Sequence, residues 1–233
     1  MTRQEYTDGL WNEYSPVSVL SEKNGCRVVR IRNRALMKDI VVRCLPEKGK
    51  AYPELCRIKC EELPEVYDVI DVDDGQIVLE EYIDGITVAD VIDTGLYKYK
   101  GAAEVLRKVC AALSVLHKRG IVHRDIKPEN VMVTPDGRVV LIDFNASRII
   151  SSAKKDTVVM GTVGYASPEQ LGVAQSDART DVYAAGVLLN VMLTGKHPSE
   201  YLAKGKAGRI VKKCTAINPN DRYQSAEKLA EAL

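Results

Sequence analysis

The chain is short of several things at once. It has almost no net charge: 33 Lys and Arg against 32 Asp and Glu leave +1 at neutral pH over 233 residues. No global field therefore favours nucleic acid or an anionic membrane surface. Long apolar runs are missing, none approaching the ~20 residues a membrane helix needs. The opening MTRQEYTDGLWNEYSP is polar and acidic, unlike a secretory signal. Without such a signal the six scattered cysteines, Cys26, Cys44, Cys56, Cys60, Cys110 and Cys214, read as reduced thiols of a cytosolic protein. Cys56 and Cys60 stand at i, i+4 with no second pair nearby, a pattern that suits helix packing better than zinc. There are no repeats and no low-complexity segments, and phenylalanine occurs once, at Phe144.

What is present is enough apolar side chain, 45% of residues, to bury a core as one large domain or two small lobes. The first eighty or so residues read as strands broken by turns. Val17–Leu20, Cys26–Ile31 and Ile40–Leu45 are β-branched runs bounded by Asn-Gly, Arg-Asn and Pro. Pro53 suits a first helical turn, and Leu55 and Ile58 at helical spacing predict a helix over 54–62. Two more strands, Val66–Val72 and Gln76–Tyr82, are joined by the hairpin signal Asp73-Asp74-Gly75. From Thr87 the pattern turns helical. Val105, Leu106, Val109, Ala112, Leu113 and Leu116 form a broad apolar stripe. Short strands are predicted at 131–133 and 139–142 around Thr-Pro-Asp-Gly, and helices at 181–194, 207–214 and 225–233. The polar stretch 145–177 has no periodicity, and a loop of that length usually has a function. Strands early and helices late predict an α+β chain in two segregated lobes, 1–82 and 83–233, joined near Tyr82–Gly85.

The chemistry concentrates in residues 123–130, His-Arg-Asp-Ile-Lys-Pro-Glu-Asn. Asp125 can accept a proton from an attacking hydroxyl, Lys127 can neutralise a transferring phosphoryl group, and Asn130 can ligate a metal through its side-chain oxygen. Asp143-Phe144-Asn145 follows directly after the apolar run Val139–Ile142. A second acidic ligand at the end of a strand suits Mg²⁺, which takes one or two protein oxygens and leaves its other positions to phosphates and water. A polar turn between strands has no need of Asp, Lys and Asn at those offsets plus a matching Asp143.

These residues closely resemble the catalytic loop and metal-binding motif of protein kinases. Ser167-Pro168-Glu169 resembles the end of an activation segment. Asp181–Gly186 resembles the buried helix that anchors the large lobe, and Asn218–Arg222 the segment whose Arg pairs with the Glu of that triplet, here Glu169. Lys127 and Thr162 look like the Ser/Thr-specific branch, and the nearest likeness is to bacterial kinases of the eukaryotic-like type. The resemblance implies a bilobal fold: a small lobe with a five-stranded sheet and short helix, and a larger helical lobe that is shortened between Thr194 and Ala207. It implies ATP and Mg²⁺ as cofactors, bound in the crevice between the lobes. Asp125 would be the base, Lys127 would stabilise the γ-phosphoryl, and Asn130 and Asp143 would hold the metal. Phe144 would pack under the short helix. Glu81 and Tyr82, at the join, would meet the nucleotide. The partners implied are protein substrates, with no nucleic acid and no membrane.

The small lobe departs from the family's pattern. Ser21, Lys23 and Cys26 stand at the three glycine positions of the phosphate-covering loop, with Gly25 out of register and Glu22 adding negative charge. Arg43 stands where a lysine pairs with the α- and β-phosphates, a swap that alters reach and geometry. Glu54 is its expected helix partner. Glu80 and Glu81 alternate across a strand, so one points inward; an inward Glu80 would compete with Glu54 for Arg43. Asn145, in place of glycine, tolerates left-handed backbone. Thr157, or Ser151 or Ser152, is a candidate phosphosite for Arg124, with Arg148 and Lys154 nearby. Two readings follow. One is an ATP- and Mg-dependent Ser/Thr kinase in which Arg43 or Lys23 replaces the missing lysine. The other is a pseudokinase, a binding or scaffold module. On residues alone GTP serves as well as ATP.

Overall fold

A computed structural model describes residues 1–150, 164–171 and 175–233. They divide into two compact units, Met1–Cys60 with Pro64–Ile83, and Glu61–Leu63 with Asp84–Leu233.

The first unit opens with helix α1 (Arg3–Leu10), then β1 (Tyr14–Lys23), β2 (Cys26–Asn33), β3 (Asp39–Leu45), α2 (Ala51–Leu55), β4 (Val66–Val72) and β5 (Gly75–Glu81). The strands form one antiparallel sheet in the order β1-β2-β3-β5-β4. Alternation along the strands gives it two faces. Val29, Ile31, Ile40, Val42, Val72 and Ile77 form a buried cluster against which Tyr6, Leu10 and Trp11 pack. Helix α1 thus covers one face. Sequence reasoning saw only a polar start there, although Thr2 and Glu5 were a legible signal: they form a reciprocal capping box. Arg3 ties the helix to the β4–β5 turn, its backbone N donating to Asp74 Oδ1 at 2.7 Å and its Nε to Oδ2 at 3.0 Å.

One expectation is corrected in this unit. The helix predicted over 54–62 is α2, a helix of 5 residues that ends at Leu55. Pro53 sits inside it and buried Tyr52 and Leu55 anchor it; beyond Leu55 the buried Ile58 stands alone between Arg57 and Lys59, and one apolar residue does not extend a helical stripe. Cys56 and Cys60 therefore share no helix. The β1–β2 connection, at the Asn-Gly expected to bound these strands, is a tight hairpin: Lys23 pairs with Cys26 across Asn24 and Gly25. Both turn residues have positive φ, 52° and 73°, the backbone of a two-residue turn that Asn-Gly favours.

The second unit contains β6 (Ile86–Thr87), α3 (Val88–Thr94), α4 (Tyr99–Lys118), β7 (Ile121–Val122), β8 (Val131–Val133), β9 (Val139–Leu141), β10 (Arg148–Ile149), α5 (Ala178–Thr194), α6 (Gly205–Cys214) and α7 (Ala226–Ala232). The apolar stripe of α4 is buried throughout. Helix α5 is the central rod, with Val182, Val187, Leu188, Leu189 and Met192 buried. Gly186 lets α6 approach it closely: a Cβ there would lie 2.2 Å from Cys214 Cβ. Among the described residues, no helix is long and apolar enough to cross a membrane.

Candidate active site

The segment 123–130 leaves β7 and ends in a 3₁₀ turn, Pro128–Asn130, that feeds β8. Its entry is pinned by Asp181 in the first turn of α5. That carboxylate is fully buried and accepts backbone N–H groups from His123 (2.9 Å) and Arg124 (2.8 Å), with His117 Nε2 at 2.8 Å. Burial pushes the Asp181 carboxyl up. The His117 hydrogen bond, the neighbouring imidazoles and the Arg124 amide outweigh this, and the group ends below the usual carboxylate range. Arg124 adopts φ 70°, so the chain bends sharply here. His123 is completely buried and its pKa is lowered by desolvation. Asp125 N donates to its Nδ1 at 3.3 Å, so the proton of the neutral ring sits on Nε2, 3.2 Å from the Ile142 carbonyl oxygen.

Beyond this bend three predicted residues converge. Lys127 Nζ lies 2.8 Å from Asp125 Oδ2. Asn130 Nδ2 donates to the Asp125 carbonyl oxygen at 2.8 Å and to Oδ2 at 2.9 Å. Asp143 is brought alongside because Ile142 N donates to the Asn130 carbonyl oxygen at 2.9 Å. Phe144, buried, packs edge-to-face on His123 with ring centroids 5.0 Å apart. Left-handed backbone was expected at Asn145 but falls on Asp143, φ 66°. The Asn145 amide instead donates to Asp143 Oδ1 at 3.3 Å.

A second layer holds the segment. Gln170 Nε2 donates to the Arg124 carbonyl oxygen at 2.8 Å, while Gln170 Oε1 accepts from Ser167 N at 3.0 Å. The Arg124 guanidinium donates to Ser176 Oγ at 3.3 and 3.2 Å. Sequence reasoning missed His117, Gln170 and Ser176; only Gln170 carried a signal, the Ser-x-x-Gln spacing of a capping box. Glu169 and Arg222 do meet, at 2.6 and 2.9 Å, and both are buried. Burial raises the Glu169 carboxyl, Arg222 lowers it, and the balance is downward. Ser151, Ser152, Lys154, Thr157 and Thr162 lie outside the described residues.

In the first unit, Arg43 Nε is 2.6 Å from Glu80 Oε1 and both side chains are buried. The Glu54 carboxylate pairs with Arg57 at 2.8 Å, three residues on. Glu81 Oε2 accepts from Glu65 N at 3.1 Å. The Tyr82 hydroxyl accepts from Arg30 at 3.1 Å, and the Arg30 guanidinium lies 4.1 Å from that ring's centroid. Lys23 is exposed at the end of β1.

The bend thus gathers Asp125, Lys127 and Asn130, and the buried Glu169–Arg222 pair belongs to the same unit. The chain belongs to the protein kinase domain family, which matches residues 53–232. It is 34% identical over 203 residues to the probable serine/threonine-protein kinase CPE1738 of Clostridium perfringens, covering 81% of this chain and 30% of that one. It is similarly 34% identical over 185 residues to the serine/threonine-protein kinase PknB of Mycobacterium tuberculosis, covering 67% and 29%. To the probable PknB of Corynebacterium glutamicum it is 32% identical over 213 residues, covering 76% and 33%. The chain thus spans about a third of the length of these relatives.

Proposed function

We propose that this chain transfers the γ-phosphoryl group of ATP to Ser or Thr hydroxyls of proteins. The observation that carries the reading is the Asp125 carboxylate held by Lys127 Nζ at 2.8 Å and Asn130 Nδ2 at 2.9 Å. Two donors on Oδ2 fix the rotation of the carboxylate, and a fixed carboxylate is what a positioned base requires. The substrate hydroxyl gives its proton to Asp125 as its oxygen bonds to the γ-phosphorus. The bond from that phosphorus to the bridging oxygen breaks, and its electron pair leaves with ADP. Lys127 sets positive charge beside the group in transfer.

The donor set fits magnesium. Asn130 turns its amide nitrogen to Asp125, which leaves the side-chain oxygen to serve with the Asp143 carboxylate, two oxygens for a cation that needs few from the protein. When bound, that ion neutralises phosphate charge. Arg43 is the proposed cation for the α- and β-phosphates, with Lys23, Glu81 and Tyr82 as further nucleotide contacts. Six cysteines outside any disulfide support a reducing, cytoplasmic setting. Thr157 is the proposed autophosphorylation site.

Radiolabelled transfer to a generic basic protein tests the reading. Asp125→Asn abolishes transfer yet keeps the thermal stabilisation by Mg-ATP, because it removes the base and not the nucleotide contacts. The β1–β2 hairpin favours a second reading, a nucleotide-poor scaffold, since amides that glycines would offer to phosphates are paired in a ladder up to Lys23 and Cys26. That reading requires no Mg-ATP shift and no transfer from the unmutated chain.

A further inference from the structure

We infer that Glu80 is the positioning residue of Arg43, and that the carboxylate which aims this cation has moved from a helix into the sheet. The inference rests on the kinase reading only for what Arg43 touches. Register puts the two together. In the β3–β5 ladder Val41 pairs with Glu80 and Arg43 with Val78, so Arg43 and Glu80 are diagonal neighbours on one face. Their side chains, 8% and 4% exposed, meet at 2.6 Å through Arg43 Nε. A guanidinium placed this deep demands a counter-charge, since an unpaired buried ion is strongly destabilising. A bond through Nε also fixes the roll of the planar fork and so the direction of its remaining donors.

The Glu54 carboxylate is turned to another partner. Helix α2 ends at Leu55, and the Glu54 carboxylate is engaged by Arg57, whose side chain is 69% exposed. A carboxylate on a short helix can be withdrawn when the helix shifts. One on an adjacent strand is held by the same backbone ladder that holds the arginine, so the pair persists for as long as the sheet does. Arg43 in place of lysine and an inward Glu80 are then one linked change, and this contact is not a switch.

A double-mutant cycle decides it. Denaturant unfolding without nucleotide is measured for Arg43→Met, Glu80→Gln, Glu54→Gln and the paired doubles. The inference requires Arg43 and Glu80 to be coupled at least ten-fold in the unfolding equilibrium and Arg43 and Glu54 less than two-fold; the reverse overturns it. With Mg-ATP, Glu80→Gln raises KM for nucleotide at least ten-fold more than Glu54→Gln does. The rise is absent in an Arg43→Met background and partly recovered in Glu80→Asp. A KM that falls in Glu80→Gln overturns the inference, because Glu80 would then be sequestering the cation. Should Glu80→Gln not fold, Arg43→Met with Glu80→Met, which removes both charges together, takes its place. A KM equal to that of Arg43→Met supports the inference, and a further ten-fold rise overturns it. If the unmutated chain neither shifts nor transfers, the kinase reading falls, and the unfolding cycle alone decides the positioning.

Discussion

Single side chains at the bend carry opposed demands, burial against hydrogen bonds and neighbouring charge, and these set the direction of their pKa shifts. His123 is buried and held below its ordinary pKa, while Asp181, which grips the backbone of residues 123 and 124, is also held low. Each lowered group binds more protons unfolded than folded, so stability rises with pH through its window. The His123 contribution is complete above about pH 6.5, its unfolded value, and declines as pH falls below that. The Asp181 contribution goes only below about pH 4. Thermal melts of the parent from pH 8 to 5 therefore show a decline that His123→Gln flattens. At Arg43, replacement by lysine loses the fork that meets Glu80 through Nε, and kcat/KM falls about ten-fold in steady-state assays, equivalent to about 1.4 kcal/mol.

Elements are where local signals and packing part company. Helix α1 has a complete capping box and one apolar edge, Tyr6 and Leu10 against the sheet cluster. Thr2→Ala removes the cap and costs about 1 kcal/mol, read as a lower denaturation midpoint with an unchanged slope. The α5–α6 contact is less forgiving. At Gly186 any Cβ meets Cys214 Cβ at 2.2 Å, so Gly186→Ala forces the helices apart despite alanine's better helix propensity. The expected loss is about 1–3 kcal/mol by the same measurement. Cys110 sits buried in α4 with its thiol pushed up to about 12, and burial raises the Cys214 thiol as well. Thiol labelling at pH 7.5 therefore reaches exposed Cys56 first, and reaches Cys110 and Cys214 only on unfolding.

At the scale of the whole second unit, Arg222 is the joint. Its guanidinium makes two bonds to Glu169 and donates to carbonyl oxygens of Arg179 (3.0 Å), Ala216 (2.8 Å) and Ile217 (3.2 Å), so one side chain ties the 168–171 turn to α5 and to the turn after α6. Arg222→Ala strands a buried carboxylate and is expected to cost about 3–5 kcal/mol, whereas replacing both partners by apolar residues costs far less. Equilibrium unfolding of the two variants checks the difference.

The sequence by itself determined where most strands fall, the long helices and the grouping of Asp125, Lys127 and Asn130, because these rest on local pattern: β-branched runs in the strands, a stripe in α4, and three polar side chains within one short turn. It reached Glu169 with Arg222 only through the family's pattern, since nothing local joins residues so far apart. The tertiary structure alone decided that Asp181 and Gln170 hold the bend, that the left-handed residue is Asp143 and not Asn145, and that Arg43 belongs to Glu80. The reason is physical. Spacing along a chain fixes which face a side chain occupies, but the partner of a buried charge is fixed by register between strands and by which helix end arrives beside it.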